Sequence, residues 1–417
     1  MTKFEDLNII EPILRTLKEE GYVEPTPIQE EAIPFILDRK DVLGSAQTGT
    51  GKTAAFAIPI LQHIYLDHNR RQKQGKIKAL IITPTRELAI QIGECLDIYG
   101  KYIGIKNTVI FGGVKQGSQT NILHRGIDIL VATPGRLLDL MNQGFIKLNS
   151  IEYFVLDEAD RMLDMGFIND IKKVIAKLPK ERQSLFFSAT MPPNIVKLSA
   201  KILRNPKTIE VCTVSSPAET IHQYLYYTNK SDKRKLILHI LQDEAIDPVL
   251  LFSRTKHGAN KIVLNLKKKN ISSAAIHGDK SQNQRQNALS MFKERKIRVL
   301  VATDIAARGI DIEKLKYVIN YDIPNVPETY VHRIGRAGRA GEEGFSISIC
   351  EPEENDYIKD IEHLIHQKIE VIKDNPYPQT ERSMTANEKK QFEKNKRQEF
   401  INSRNKYRVK RTPRTRR

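Results

Sequence analysis

Short apolar runs rich in β-branched residues alternate along this chain with longer segments of helical pattern. Most of these runs lead into a Thr, Ser or Asp. Because strands of this kind, separated by helices, are typical of a parallel sheet covered on both faces, the alternation predicts an α/β fold. The runs are ALIITPT (79–85), DILVATPGR (128–136), YFVLDEAD (153–160), SLFFSAT (184–190), PVLLFSRT (248–255), IRVLVATD (297–304), YVINYDIP (317–324) and FSISIC (345–350).

The two halves of the chain repeat short strings. LVAT occurs at 130–133 and at 300–303, and LFFSAT (185–190) resembles LLFSRT (250–255). With 417 residues, of which 40% are hydrophobic, the chain is long enough to bury two cores. These features together predict two α/β domains of similar design.

A polar segment with a Ser-Ser-Pro sequence separates the two series of runs and is typical of an inter-domain linker. We therefore predict a first domain at 1–208, a linker at 209–220 and a second domain at 221–378. From 379 to 417 the apolar periodicity fades, which predicts a basic, disordered tail.

The positive charge of the chain is unevenly distributed. The formal net charge is +17. Residues 380–417 carry 14 Lys or Arg against 4 Glu, which is +10 and leaves +7 for the rest of the chain. The balance predicts a polyanionic partner, with the tail as an electrostatic tether that raises the local concentration of that partner. A merely solubilising terminus is the open alternative.

Composition also predicts where the protein works. No apolar run reaches the roughly 18 residues that span a bilayer, and the first residues do not resemble a secretory signal. The three cysteines, Cys95, Cys212 and Cys350, form no metal-ligand spacing and no even disulfide framework. We expect a cytoplasmic protein that makes no membrane contact and is a monomer.

The segment SAQTGTGKT (45–53) predicts a phosphate-binding loop, although Ala46 stands where the general pattern begins with Gly. A strand-like DVLGS precedes it and a helical pattern follows, so the loop ends at a helix N-terminus, which favours phosphate oxygens. Lys52 would neutralise the β and γ phosphates, and Thr53 would bind Mg²⁺. The residues expected to hold the nucleotide here are Ala46, Gln47, Thr48, Gly49, Thr50, Gly51, Lys52 and Thr53.

An acidic pair follows the apolar run at 153–156. In parallel sheets, ligands bind at the carboxyl ends of the strands, so Asp157 is placed to hold the Mg²⁺ of the nucleotide. Glu158 is placed to orient or polarise the attacking water. Together with the loop, the pair predicts hydrolysis of ATP or GTP, and the residues alone leave both bases open.

At DEAD (157–160) the sequence resembles the DEAD-box ATP-dependent RNA helicases, from Phe4 to about Pro376. The resemblance implies two tandem RecA-like domains with helices on both faces of each sheet. GYVEPTPIQ (21–29) is similar to the family's adenine-recognition motif, which implies that Gln29 bonds the adenine edge and Phe4 lies against the base. A carboxamide offers both a donor and an acceptor to adenine, which favours ATP. Within the family, FSRTKHGAN, SAAIHGDKSQ and YDIPNVPETYVHRIGRAGRAG are most like the bacterial RhlE type.

Further family motifs imply an RNA site that spans both domains. Their cationic forks, hydroxyls and backbone N–H groups suit phosphates and sugars, and the chain has no Trp. Binding should therefore be largely independent of base sequence and should weaken with salt. The implied RNA-binding residues are Pro84, Thr85, Arg86, Gly112, Gly113, Thr133, Gly135, Arg136, Arg254, Gly278, Arg285 and Thr303.

The resemblance also assigns roles around the ATP site to residues of the second half. Arg336 and Arg339 correspond to the family's arginine fingers, which stabilise charge in the transition state. Gly309 and Asp311 would contact the ribose. Residues that would couple the ATP and RNA sites are Asp160, Ser188, Thr190 and His332.

The sequence thus predicts an ATP-dependent RNA helicase that uses Mg²⁺. Mg-ATP and RNA would jointly close the two domains and bend one strand of a short duplex, and hydrolysis would reopen them. Two alternatives stay open: an ATP-gated clamp that grips RNA without unwinding it, and a DNA helicase, since a preference for the 2′-OH depends on geometry. Ribosomal or RNA-decay assemblies are the expected protein partners.

Overall fold

The structure is a computed structural model that describes residues 2–46, 49–70, 76–211, 221–307, 315–338, 343–383 and 388. The chain divides into two compact units, and it contains two seven-stranded sheets. Every strand pairing with an assigned register is parallel.

The first sheet is built from short strands connected by helices. Its strands are β1 (Val42–Ser45), β2 (Ala79–Ile82), β3 (Asn107–Ile110), β4 (Ile129–Ala132), β5 (Tyr153–Leu156), β6 (Gln183–Ser188) and β7 (Lys207–Glu210). The helices of this half are α1 (Glu11–Glu19), α2 (Pro27–Leu37), α3 (Lys52–Arg70), α4 (Arg86–Tyr99), α5 (Gln116–His124), α6 (Pro134–Asn142), α7 (Ala159–Asp164), α8 (Ile168–Ile175) and α9 (Pro193–Ile202). The strand order is β3-β4-β2-β5-β6-β1-β7.

The central strands of this sheet are buried on both faces. Along β5, Tyr153 and Val155 pack into one hydrophobic cluster, while Phe154 and Leu156 pack into a second cluster on the opposite face. Successive side chains of a strand point to opposite faces, so a strand between two helical layers must be apolar throughout. The predicted α/β fold with two covered faces is confirmed.

The second sheet repeats this design. Its strands are β8 (Ile221–Tyr227), β9 (Val249–Phe252), β10 (Ser273–Ile276), β11 (Val299–Ala302), β12 (Tyr317–Asn320), β13 (Gly344–Cys350) and β14 (Glu370–Val371). The helices are α10 (Lys233–Ile240), α11 (Lys256–Lys267), α12 (Gln282–Lys293), α13 (Asp304–Ala307), α14 (Pro327–Ile334) and α15 (Asn355–Ile365). The strand order is β10-β11-β9-β12-β13-β8-β14.

Subtracting seven from each strand number of the second sheet reproduces the order of the first, so β8 corresponds to β1 and each later strand follows in step. The prediction of two similar domains is confirmed. The repeated LVAT string begins in β4 and in β11, which correspond, and its Thr follows each strand. The other repeat does not mark corresponding strands, because LFFSAT begins in β6 and LLFSRT begins in β9.

The polar segment between the two sheets contains structure at its start. β7 pairs with β1, so positions 209 and 210 of the predicted linker belong to a strand. Only Ile209 of that strand is buried, and an edge strand with one buried residue resembles a linker in sequence. Residues 212–220 lie outside the described part of the chain.

The predicted tail begins with residues that the second sheet holds. Gln379 N–H donates to the Tyr227 carbonyl at 3.1 Å, and the N–H groups of Thr380 and Glu381 donate to Asn229 Oδ1 at 3.0 and 2.9 Å. Beyond 383 only residue 388 is described, so the prediction for the tail concerns residues outside the described part. Within the described residues, no helix is both long and apolar enough to cross a membrane.

Candidate functional site

The predicted site residues of the first sheet follow the carboxyl ends of its strands, and they separate into two groups by strand order. The nucleotide candidates Lys52 and Asp157 follow β1 and β5. The RNA candidates Pro84, Gly112 and Thr133 follow β2, β3 and β4, which are three adjacent strands at one side of the sheet. The carboxyl edge of an open parallel sheet is where ligands bind in such folds.

The phosphate-binding loop is closed by its lysine. Lys52 is the first residue of α3, it is buried, and its Nζ donates to the Ala46 carbonyl at 2.7 Å. Ala46 N–H donates to the Ser188 carbonyl at 3.2 Å and so continues the pairing of β1 with β6. A position that continues the pairing of a strand does not require glycine, which explains why Ala46 can stand where the general pattern has Gly. Gln47 and Thr48 lie outside the described residues.

The adenine-recognition candidate is bonded to this loop. Gln29 lies on α2 with 2% of its surface exposed, which excludes a solvent-facing role. Its Oε1 accepts from Thr26 N–H at 3.0 Å, and its Nε2 donates to the Gly51 carbonyl at 3.1 Å. Thr26 Oγ1 donates to the Thr50 carbonyl at 2.8 Å. Gln29 and its capping partner therefore fix the position of the loop, and the buried Phe4 lies in the core of the same half.

The acidic pair at the end of β5 is buried. Burial raises the pKa of Asp157 to about 6, an effect that the positive charge of Lys52 opposes and the negative charge of Glu158 increases. Asp157 supplies a carboxylate at this strand end. Mg²⁺ bound together with a nucleotide needs only one or two carboxylates, because phosphates and waters complete its coordination, so Asp157 fits that ion. Among the described residues, no group of three or more His, Cys, Asp or Glu forms a metal site.

Glu158 has a buried partner that the sequence did not predict. Both of its carboxylate oxygens accept from Arg161 Nη1, at 2.7 and 2.8 Å, and both side chains are buried. Glu158 also has a φ of 53°, in the left-handed region, immediately before α7. The three-residue spacing from Glu158 to Arg161 at a helix start is compatible with this contact, but the spacing alone does not indicate that the pair is buried.

Three of the four predicted coupling residues are joined directly. Thr190 donates to Asp160 Oδ2 from both its backbone N–H and its Oγ1, each at 3.0 Å. Asp160 N–H donates to Ser188 Oγ at 3.2 Å, and Ser188 Oγ donates to the Thr190 carbonyl at 2.8 Å. The fourth residue, His332, lies on α14 of the second half.

All the RNA candidates of the first half except Gly113 line a common groove. Thr85 caps α4 by accepting from Leu88 N–H at 3.3 Å, and Arg136 donates to Gln119 Oε1 at 3.1 Å and to the Val114 carbonyl at 3.2 Å. Burial lowers the pKa of Arg86. The lining includes Pro84, Thr85, Arg86, Gly112, Thr133, Gly135 and Arg136, together with Glu87, Asp139, Met165 and Phe167, which the sequence did not predict.

The second sheet presents its RNA candidates at corresponding positions. Arg254 lies two residues beyond β9, as Pro84 does beyond β2. Gly278 lies two residues beyond β10, as Gly112 does beyond β3, and Thr303 follows β11 as Thr133 follows β4. Arg285 lies on α12.

The predicted arginine fingers are only partly within the described residues. Arg336 is buried, and its Nε donates to the His332 carbonyl at 3.4 Å. Arg339, Gly309 and Asp311 lie outside the described residues, so their expected roles stay predictions.

A parallel sheet with a phosphate-binding loop at one strand end and a buried acidic pair at another defines a nucleoside-triphosphate-hydrolysing protein. The DEAD/DEAH box helicase family matches residues 26–198, and the helicase conserved C-terminal domain matches residues 232–341. The chain belongs to the DEAD-box family of ATP-dependent RNA helicases.

Relatives and solved structures are similar over most of the chain. The ATP-dependent RNA helicase CshA of Limosilactobacillus reuteri is 41% identical over 89% of this chain and 73% of that protein. The DEAD-box ATP-dependent RNA helicase RhpA of Helicobacter pylori is 41% identical over 88% of this chain and 74% of that protein. The structure of S. cerevisiae Dbp5 bound to RNA and ADP BeF3 is 31% identical with a TM-score of 0.77, covering 89% of this chain and 96% of that one.

Proposed function

We propose that this chain couples ATP binding and hydrolysis to the local separation of short RNA duplexes, which it contacts through the sugar-phosphate backbone. The observation that carries this proposal is the matching of RNA candidates at three strand ends in each sheet. Arg254, Gly278 and Thr303 stand at the same strand ends as Pro84, Gly112 and Thr133. Hydroxyls, glycine backbone and a guanidinium suit phosphates and sugars more than base edges.

In this proposal the ATP site acts through five side chains. Lys52 neutralises the β and γ phosphates, and Asp157 with Thr53 holds Mg²⁺, which supplies charge neutralisation when bound. Glu158 orients the attacking water, supported by its burial and by the Arg161 contact. Gln29 recognises adenine. Because Gln29 also donates to the Gly51 carbonyl, binding of the base would affect the position of the loop.

Coupling between nucleotide and RNA would pass through the hydrogen bonds among Asp160, Ser188 and Thr190. Asp160 follows the acidic pair on α7, and Ser188 ends β6, the strand beside β1. A displacement of the acidic pair on ATP binding would therefore move this set directly. Closure of the domains, with Arg336 and Arg339 completing the ATP site, is the further step that we propose.

The proposal is tested by measuring ATP hydrolysis by the full chain with single-stranded RNA, with single-stranded DNA of the same base sequence, and with neither. Displacement of a short RNA duplex is measured in parallel. We expect stimulation by RNA and ATP-dependent displacement. Equal stimulation by DNA would contradict the RNA preference, and hydrolysis without displacement would favour the ATP-gated clamp.

Gly113 gives a test of the RNA groove. Its φ is +80°, and a Cβ at this position would overlap the guanidinium of Arg86. Gly113→Ala should therefore displace Arg86 and weaken RNA binding by about three- to tenfold, with a stability cost of about 1–2 kcal/mol for the left-handed backbone. The measurement is RNA affinity by fluorescence anisotropy at several salt concentrations.

The matched control is Gly117→Ala on α5, because a Cβ there meets nothing within 4 Å. RNA affinity of the control should equal that of the parent. Unchanged RNA affinity of Gly113→Ala would show that the position of Arg86 is unimportant for binding.

Several finer features remain part of this proposal. The RhlE type rests on motif resemblance alone, while relatives with the CshA and RhpA names share about two-fifths of their residues with the chain. A cytoplasmic location and a tethering role of the basic tail are proposed on the composition and charge given above. A monomeric state and partners in ribosomal or RNA-decay assemblies are further parts of the proposal.

A further inference from the structure

A buried lysine of the second sheet occupies the place that corresponds to the phosphate-binding lysine of the first. Because β8 corresponds to β1 and β12 corresponds to β5, the two sheets can be compared strand by strand. Lys52 is the first residue of the helix after β1, and Lys233 is the first residue of the helix after β8. Asp157 follows β5, and Asp322 lies two residues beyond β12.

The partners of Lys233 are carboxylates of the protein itself. Its Nζ lies 2.9 Å from Glu354 Oε2, 3.5 Å from Asp322 Oδ1 and 3.7 Å from Glu351 Oε2. The side chains of Lys233 and Glu354 are 3% and 1% exposed. Burial raises the pKa of Glu354, and the ammonium of Lys233 opposes that rise. A lysine at this position in the first sheet serves a nucleotide site, whereas here it is the centre of an internal ion cluster.

Two of these carboxylates also hold Arg254, the proposed RNA contact at the end of β9. Glu354 Oε1 accepts from Arg254 Nη2 at 2.5 Å, and Asp322 Oδ2 accepts from the Arg254 backbone N–H at 2.8 Å. Arg254 Nη2 also donates to the Ile323 carbonyl at 2.9 Å. Lys233 is therefore linked to the backbone of Arg254 through one carboxylate and to its guanidinium through another.

Burial changes sharply along this chain of contacts. The side chain of Arg254 is 48% exposed, although its partner Glu354 is almost completely buried. The bonds from the guanidinium to Glu354 and Ile323 both use Nη2, and a guanidinium has five N–H donors. One edge of Arg254 is thus anchored in the protein while the side chain stays accessible to an anion.

We infer that Lys233 and Glu354 are positioning residues that hold the guanidinium of Arg254 in place for a phosphate of the RNA strand. This inference rests on the proposed RNA contact of Arg254. A long side chain that is held in one conformation before binding loses less conformational entropy when it binds. The pair should therefore affect RNA affinity and leave the ATP site unchanged.

The test compares Glu354→Asp with Glu354→Gln. Asp keeps the charge but withdraws the carboxylate by one methylene, so it cannot reach Lys233 and Arg254 together. Gln keeps the length and an acceptor oxygen but loses the charge. We expect Glu354→Asp to weaken binding of single-stranded RNA by about three- to tenfold and Glu354→Gln to weaken it less. If Glu354 acted only through its charge, Glu354→Asp would bind RNA as tightly as the parent. That result would overturn the inference.

Steady-state ATP hydrolysis supplies the second readout. Glu354→Asp should raise the KM for RNA by the same factor, while kcat at saturating RNA and the KM for ATP stay within about twofold of the parent. A fall in kcat with an unchanged KM for RNA would contradict a positioning role. Thermal unfolding of each variant is measured by circular dichroism. If Glu354→Asp does not fold, Glu354→Gln alone is combined with Arg254→Gln in the comparison described next.

Arg254→Gln separates this inference from the function on which it rests. It should weaken RNA binding and reduce the slope of log affinity against log salt by about 0.7, the value for one phosphate contact on a single strand. In that background, either substitution of Glu354 should change RNA affinity by less than about twofold, because the side chain to be positioned is gone. An equal loss in both backgrounds would overturn the inference alone. Unchanged affinity and slope for Arg254→Gln would overturn the proposed RNA contact as well.

Discussion

Glu158→Gln should lower the rate of ATP hydrolysis by about 10²- to 10⁴-fold and leave ATP and RNA affinity close to those of the parent. The carboxamide keeps an oxygen that can accept from Arg161 Nη1, so the buried contact is preserved in part. It cannot take up a proton from water or hold the negative charge that orients it. RNA-stimulated phosphate release and nucleotide binding, measured on the same preparation, check both halves of this expectation.

A matched control is available on the surface of the same half. The side chain of Glu181 is 96% exposed, so Glu181→Gln removes the same charge far from any burial effect and should leave hydrolysis unchanged. Hydrolysis by Glu158→Gln at the parent rate would remove Glu158 from the mechanism. A parallel loss of ATP affinity would assign Glu158 to nucleotide binding.

Arg161→Met should destabilise the first half of the protein by about 3–5 kcal/mol, because it removes the buried guanidinium from which both carboxylate oxygens of Glu158 accept. The two side chains are 6% and 3% exposed, so solvent cannot replace the lost contact. The melting temperature should fall by about 6–20 °C, since a domain of 150–250 residues loses about 2–4 °C per kcal/mol. Hydrolysis by the folded fraction should also fall, because the orientation of Glu158 is lost.

The double variant Glu158→Gln with Arg161→Met distinguishes loss of the buried charge–charge contact from simple loss of packing. Replacement of both charges by neutral groups of similar size removes the desolvation penalty, so the double variant should melt above Arg161→Met alone. A double variant that melts at or below Arg161→Met would show that packing of the arginine stem, and not the charge of Glu158, determines the loss. The measurement is thermal unfolding followed by circular dichroism.

The fold and the motifs were predictable to a large extent because they depend on residues close in sequence. The apolar runs became strands. The helix that was predicted to follow the phosphate-binding loop is present, and its first residue is Lys52. The sequence was least informative where an element depends on its place in the sheet. β7 is polar because an edge strand buries little, and for that reason it resembled a linker.

The partners of buried charges were not predictable. Arg161 is only three residues from Glu158, yet an arginine at a helix start is usually solvated, and nothing local shows that this one is buried. Lys233 and Glu354 are separated by 121 residues, so only the folded sheet brings them together. Buried ion pairs form where distant elements exclude water around both partners, and a sequence does not display that exclusion.

The sequence by itself determined the α/β architecture, the phosphate-binding loop, the acidic pair and the family, because each depends on periodicity or on a short run of contiguous residues. The tertiary structure alone decided which strand ends are neighbours. Strand order in a parallel sheet need not follow chain order, since a crossover can pass over another strand, as the connection from β2 to β3 passes over β4. That order gathers the RNA candidates at three adjacent strands in each sheet, and it places Lys233 where the first sheet has Lys52.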